Sequence, residues 1–243
     1  MTNRSNTKVY VGTSGFSYSH WKENFYPKGL PTKKWLEYYS REFSTVELNT
    51  TFYHLPLIST VNNWQKQVSD NFIYAVKASR YMTHQKRLLD CKASVDLFYD
   101  RMKLFKTKAG PILFQLPPSF KMDKERLIEF IKNLKKSHDH VFEFRHESWY
   151  VSEIYEILEK NKLALCITDL NGKLSPEEIT SNFTYLRLHG PKKAYQGSYG
   201  SKLKDWKSKI EKWSTKISVY CYFDNDEKGY AIQDAKTLKD MLL

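Results

Sequence analysis

The chain has 243 residues, 41% of them hydrophobic and 15% aromatic, which is enough for one full core and unlike a disordered or fibrous chain. No apolar run approaches the ~20 residues of a membrane span, and the N-terminal Met1–Thr7 is polar, without the apolar centre of a signal peptide. Lys and Arg number 39 against 27 Asp and Glu, a formal charge of +12, which fits a polyanionic partner such as nucleic acid or, more simply, lysine-rich solvated helix faces. Cys91, Cys166 and Cys221 are odd in number and far apart, so they form neither a disulfide framework nor a metal-ligand spacing, and a reducing cytoplasm is the expected compartment.

In chain order, Lys8–Gly12 reads as a strand ending in Gly12-Thr13-Ser14-Gly15, followed by a long aromatic-rich segment to Pro31 of the kind that forms lids or binding loops. Thr32 caps a helix over Lys33–Phe43. Thr45–Tyr53 reads as a strand with Glu47, Asn49 and Thr51 on one face, and Ser59 opens a helix carrying Val61, Trp64 and Val68. Phe72–Arg80 is a third strand, and an amphipathic helix follows around Leu97, Phe98, Met102 and Phe105. Ile112–Leu116 is a strand halted by Pro117-Pro118. Asp123 then caps a helix whose buried stripe is Leu127, Ile128, Ile131 and Leu134.

The stretch from Val141 to Tyr150 begins as an alternating strand, with Phe142 and Phe144 on one face and Glu143 and Arg145 on the other. Ser152 caps the next helix, Leu163–Thr168 is a strand ending at Asp169, and Ser175-Pro176-Glu177-Glu178 has the cap and first-turn proline of a short helix. Thr184–Gly190 is a strand with Tyr185, Arg187 and His189 on one face. A loop with Gly190, Gly197, Gly200, Lys192 and Lys193 follows, and in a barrel such a loop commonly binds phosphate. A helix carrying Leu203, Trp206, Ile210 and Trp213, a strand over Ile217–Phe223 and a final helix over Tyr230–Leu243 complete the chain. Eight strands alternating with helices, with no linker or break in composition, predict one α/β domain over residues 1–243, a (β/α)8 TIM barrel of the usual size of about 250 residues. An open doubly wound sheet fits less well, because Gly12 and Gly15 lack the further glycines of a dinucleotide loop.

A barrel gathers the polar groups near strand C-termini at one mouth. Glu47 and Glu143 are the candidate proton-transfer groups, with His189 as a group that titrates near neutrality. Lys77, Arg145 and Arg187 suit an anionic substrate group. Ser14, Asn49, Gln115, Asp169 and Asn225 complete the candidate binding set, with Asp224 and Asn225 not distinguished by pattern. Tyr18, Trp21, Tyr53, Trp149 and Tyr199 are candidate stacking surfaces for a sugar or base. A divalent metal on Glu47, Glu143, Asp169 and His189 is the weaker alternative, since the sequence has no close histidine pair.

Val11-Gly12-Thr13-Ser14-Gly15-Phe16-Ser17-Tyr18 followed by Trp21 and Phe25-Tyr26-Pro27, then Val46–Tyr53, Phe114-Gln115-Leu116-Pro117-Pro118, Glu143-Phe144-Arg145-His146 with Trp149, and Tyr185–Gly190 together resemble the YecE-like family, domain of unknown function 72. The resemblance covers nearly the whole chain. It implies a TIM barrel distantly related to sugar isomerases and metal-dependent barrel nucleases, and it supplies no activity, substrate or catalytic residue. The family usually has Asn-Asn where this chain has Asp224-Asn225, and Asn-Ala where it has Asp234-Ala235. The leading expectation is an enzyme that moves a proton on a phosphorylated or otherwise anionic, sugar-like molecule. The alternatives are a nucleic-acid-binding or phosphodiester-cleaving protein and a binding module without chemistry.

Overall fold

The structure is a computed structural model that describes residues 7–243; the polar stretch 1–6 lies outside the described residues. Its strands are β1 (Val9–Thr13), β2 (Thr45–Leu48), β3 (Ile73–Lys77), β4 (Ala109–Gln115), β5 (His140–Glu143), β6 (Ala164–Leu170), β7 (Lys173–Leu174), β8 (Phe183–Leu188) and β9 (Ser218–Phe223). Its helices are α1 (Trp35–Glu42), α2 (Thr50–Tyr53), α3 (Ile58–Gln67), α4 (Lys92–Met102), α5 (Lys124–Ile131), α6 (Ser152–Lys160), α7 (Leu203–Ser214) and α8 (Tyr230–Leu242). Two compact units divide these elements.

One unit comprises the chain up to Glu47, Ile167–Glu177 and Asn182–Leu243. Within it β1 pairs with β9 and β9 with β8, both parallel, and a parallel bridge joins Ser14 to Glu47. Gly12 lets β1 approach this closely, because a Cβ there would lie 2.5 Å from the Thr45 carbonyl oxygen. The other unit comprises Leu48–Cys166 with Glu178–Ser181, and in it β3, β4, β5 and the start of β6 pair in sequence, all parallel. Parallel strands separated by helices throughout are the (β/α)8 TIM-barrel class expected from the sequence. No helix among the described residues is long and apolar enough to cross a membrane, and all three cysteines are buried and free.

Several elements differ from the sequence reading for local reasons. The second strand stops at Leu48, and Thr50–Tyr53 turns into a helix because the Thr51 hydroxyl donates to the Leu48 carbonyl at 2.9 Å in place of a ladder bond. Likewise the third strand ends at Lys77. The helix expected at Ser175–Glu178 does not form. Instead Asn171 and Gly172, both at positive φ, make a two-residue turn that pairs Leu170 with Lys173 and Asp169 with Leu174. The Ser175 hydroxyl then accepts from the Thr168 amide. In α5, Asp123 caps as expected, accepting from the Arg126 amide at 3.0 Å, but the buried residues are Leu127 and Phe130 while Ile128 faces out.

Candidate functional site

In the first unit, Glu47 is fully buried near the end of β2 and receives donors on both carboxylate oxygens. Arg187 on β8 reaches it with Nε at 2.9 Å and Nη2 at 2.8 Å, the two-pronged geometry in which guanidinium recognises carboxylate best. The Tyr185 hydroxyl donates to Oε2 at 2.7 Å and the Ser14 hydroxyl donates to Oε1. Arg187, itself 1% exposed, extends Nη2 to Ser14 Oγ at 3.0 Å and to Asp224 Oδ2 at 3.1 Å. Its Nη1 lies 3.3 Å from His189 Nε2, and His189 Nδ1 lies 3.0 Å from Asp224 Oδ2. Because guanidinium only donates, the first contact needs an unprotonated Nε2, which leaves Nδ1–H turned to the carboxylate.

Period two explains why these groups meet. Tyr185, Arg187 and His189 share one face of β8, Glu47 comes from β2, Ser14 follows β1 and Asp224 follows β9. Asp224 also lines a cleft of about 450 Å³ with Tyr18, His20, Tyr195, Asp226 and Glu227. Asp226 accepts from the Trp21 indole at 2.9 Å and from His20 at 2.8 Å, and burial raises its carboxyl above the ordinary range, with both partners pulling it back. Burial, and then the carboxylates of Asp224, Asp226 and Glu47, push the Tyr18 phenol well up, so it donates as a neutral hydroxyl to the Ser14 carbonyl. Asp169, on β6, is likewise raised, first by burial.

Asn225 does not join the network around Arg187. Its amide donates to the Gly197 carbonyl at 2.8 Å and to Asp234 on α8 at 2.7 Å, and Asp234 also accepts from the Ser198 hydroxyl and the Tyr199 amide. The substitution of Asp for Asn in α8 thus meets a surplus of donors. The glycine loop is tied down rather than open. The Gly190 amide donates to the Tyr199 hydroxyl, the Ala194 amide donates to Asn171 Oδ1, and Lys202 Nζ donates to the Pro191 carbonyl. Trp21 is fully buried, and so is Tyr199 apart from a 3% trace.

In the second unit, Glu143 at the end of β5 is fully buried and accepts from Gln115 Nε2 at 3.0 Å and from Arg145 Nε. The alternation read from the sequence therefore holds, with Phe142 and Phe144 packed on the opposite face from Glu143 and Arg145. Lys77 closes β3 and lays Nζ 4.4 Å over the Phe52 ring, whose other neighbour is the edge-on imidazole of His84. Asn49 precedes α2, and its side-chain oxygen is buried without a hydrogen-bond partner. Tyr53 is exposed, whereas Trp149 is fully buried, stacked 4.6 Å from Phe144 with its indole donating to the Phe120 carbonyl. Trp149 is thus a packing residue and presents no face to a ligand.

Sequence reasoning missed Asp224, His20 and Asp226. Residues just past a strand end fall outside the strand period, and nothing local links positions 20 and 226. Among the described residues no group of three His, Cys, Asp or Glu side chains is arranged to hold a metal ion.

Comparison with known proteins agrees with this architecture. The chain is 26% identical to the UPF0759 protein YunF of Bacillus subtilis (strain 168), an alignment that covers 96% of this chain and 94% of that protein. A crystal structure of a DUF72 family protein from Thermotoga maritima MSB8 superposes with a TM-score of 0.86 at 30% identity, covering 97% of this chain and 99% of that one. D-psicose 3-epimerase from Clostridium cellulolyticum H10, solved with D-tagatose, superposes at 0.61 with 12% identity over 97% of this chain and 98% of that one, a likeness of fold alone. The family model described as "Protein of unknown function DUF72" matches residues 10–243, and the chain belongs to that family.

Proposed function

We propose that the protein is an enzyme that moves a proton on a sugar-like small molecule bound in the cleft of the first unit. One observation carries the reading: a buried guanidinium, clamped by Glu47, touches both members of a His189–Asp224 pair whose carboxylate opens onto that cleft. Apolar side chains would fill the same space at lower cost, so four ionisable groups held together there call for a purpose beyond packing. In this reading His189 and Asp224 handle the proton. Glu47, with both oxygens engaged, fixes Arg187 and is a positioning residue rather than the base. Tyr18 and His20 present a neutral hydroxyl and an imidazole to substrate hydroxyls. The carboxylates Asp224, Asp226 and Glu227 around the cleft favour a hydroxyl-rich ligand there and disfavour a nucleic-acid backbone.

The test is exchange of carbon-bound hydrogen for deuterium. Free and phosphorylated aldoses and ketoses incubated with enzyme in D2O and followed by NMR should show wash-in next to the carbonyl for one member. His189→Asn and Asp224→Asn should remove it. If no sugar exchanges and none raises the melting temperature at millimolar concentration, the reading fails, because a ligand of the native state must stabilise it.

A further inference from the structure

Lys77, Gln115 and Glu143 are the last residues of β3, β4 and β5, three parallel neighbours in which Gln115 pairs with Glu143 and Lys77 with Leu113. Their side chains therefore emerge at the carboxyl edge of one sheet, where α/β folds bind ligands. Arg145 lies two residues beyond β5 and donates Nε to Glu143, while Gln115 donates to the same oxygen. His84, in the helical turn Tyr81–Gln85 after β3, meets Thr83 Oγ1 at 2.9 Å through Nδ1 and stands edge-on to Phe52, 4.9 Å between ring centres. Lys77 covers that same Phe52 ring. Burial first, then the charges of Lys77, Arg80 and Arg145, hold the imidazole neutral down to about pH 4, with Glu143 acting the other way.

Three cations thus surround one neutral imidazole and one carboxylate. Lys77 is only 9% exposed and Arg145 lies close to it in burial. Gathering like charges at a buried edge is unfavourable unless a counter-charge joins them. We infer that this edge of the second unit is a binding site for a small oxyanion, the phosphate or carboxylate group of a ligand, with Arg145 and Lys77 as its charged contacts and His84 beside them. Arg suits a planar or tetrahedral oxyanion through paired N–H donors, and Lys supplies a point charge. The inference is independent of the proton-transfer reading, since an anion can bind here without turnover.

Inorganic phosphate, glycerol phosphate and acetate are titrated separately, at constant ionic strength, into isotope-labelled protein while the His84 imidazole is followed by NMR. At least one anion should produce saturable shifts and move the His84 titration upward by about one unit, as a neighbouring negative charge does. Lys77→Met and Arg145→Met should each weaken binding about tenfold or more, and Glu143→Gln, which removes a competing carboxylate, should tighten it. Arg145→Lys serves as the second variant should Arg145→Met not fold. Response to both phosphates assigns a phosphate site, and response to acetate alone assigns a carboxylate site. No saturation by any of the three up to ~20 mM, or unchanged binding in the Met variants, overturns the inference.

Discussion

Arg187 satisfies more partners than charge balance alone would require, and that is why its removal should be severe. Deleting it leaves Glu47 buried with only hydroxyl donors from Tyr185 and Ser14. Breaking a buried pair by removing one partner typically destabilises by about 3–5 kcal/mol. Urea unfolding of Arg187→Met should show a loss of that order, and Glu47→Gln combined with Arg187→Met should lose less than the sum of the two single changes, since the residues form one network. Additive losses would show that the clamp is not a unit. At this scale the sequence told much about strand interiors: alternation alone put Glu143 with Arg145 and Tyr185 with Arg187. It could not separate Asp224 from Asn225, because the first residues past a strand follow the turn rather than the pleat, and the two point to different partners.

Elements are held to one another by short polar ties. Gly190, at φ +134°, leads out of β8, and a Cβ there would lie 2.3 Å from the Lys193 carbonyl oxygen and 2.7 Å from that of Gln196. Gly190→Ala should therefore disrupt the 190–200 loop, read as faster amide exchange across those residues. Asp234→Ala tests the other end of the same loop by freeing the Ser198 hydroxyl, the Tyr199 amide and the Asn225 amide together. It should raise exchange at 197–200 and cost about 1–3 kcal/mol through the donors left unsatisfied. Retention of native exchange rates in both variants would mean the loop is held by something else. The eight-strand rhythm was legible because hydrophobic periodicity survives in every barrel strand. The short hairpin at 169–174 was passed over although Asn171-Gly172 is the strongest two-residue turn signal, because the Ser-Pro-Glu-Glu that follows imitates a helix start.

For the whole molecule, acidification should be destabilising from just below neutrality. Burial pushes His140 down to about 3, and its Nε2 accepts from the Tyr99 hydroxyl at 2.6 Å, a bond that needs the neutral ring. Its folded pKa is depressed, so the unfolded chain takes up the proton first. The stabilisation is full above the unfolded value near 6.5 and is lost as pH falls toward 3, on the order of 4 kcal/mol in all. His84, pushed down to about 4, acts in the same direction through a more exposed group. Asp139, Asp169 and Asp226 are shifted upward and act oppositely, giving back part of the loss as they protonate. Chemical denaturation between pH 7 and 4 should show a falling midpoint, and His140→Gln should flatten the slope. A slope unchanged in that variant would remove His140 as its source.

The chain has six tryptophans. Trp21 is bound through its indole nitrogen to Asp226, a carboxylate on the wall of the cleft. A guest that shifts or neutralises that side chain must alter the field on the ring, so fluorescence from Trp21, isolated by replacing its five siblings with Phe, would announce occupancy without any label or assumed chemistry.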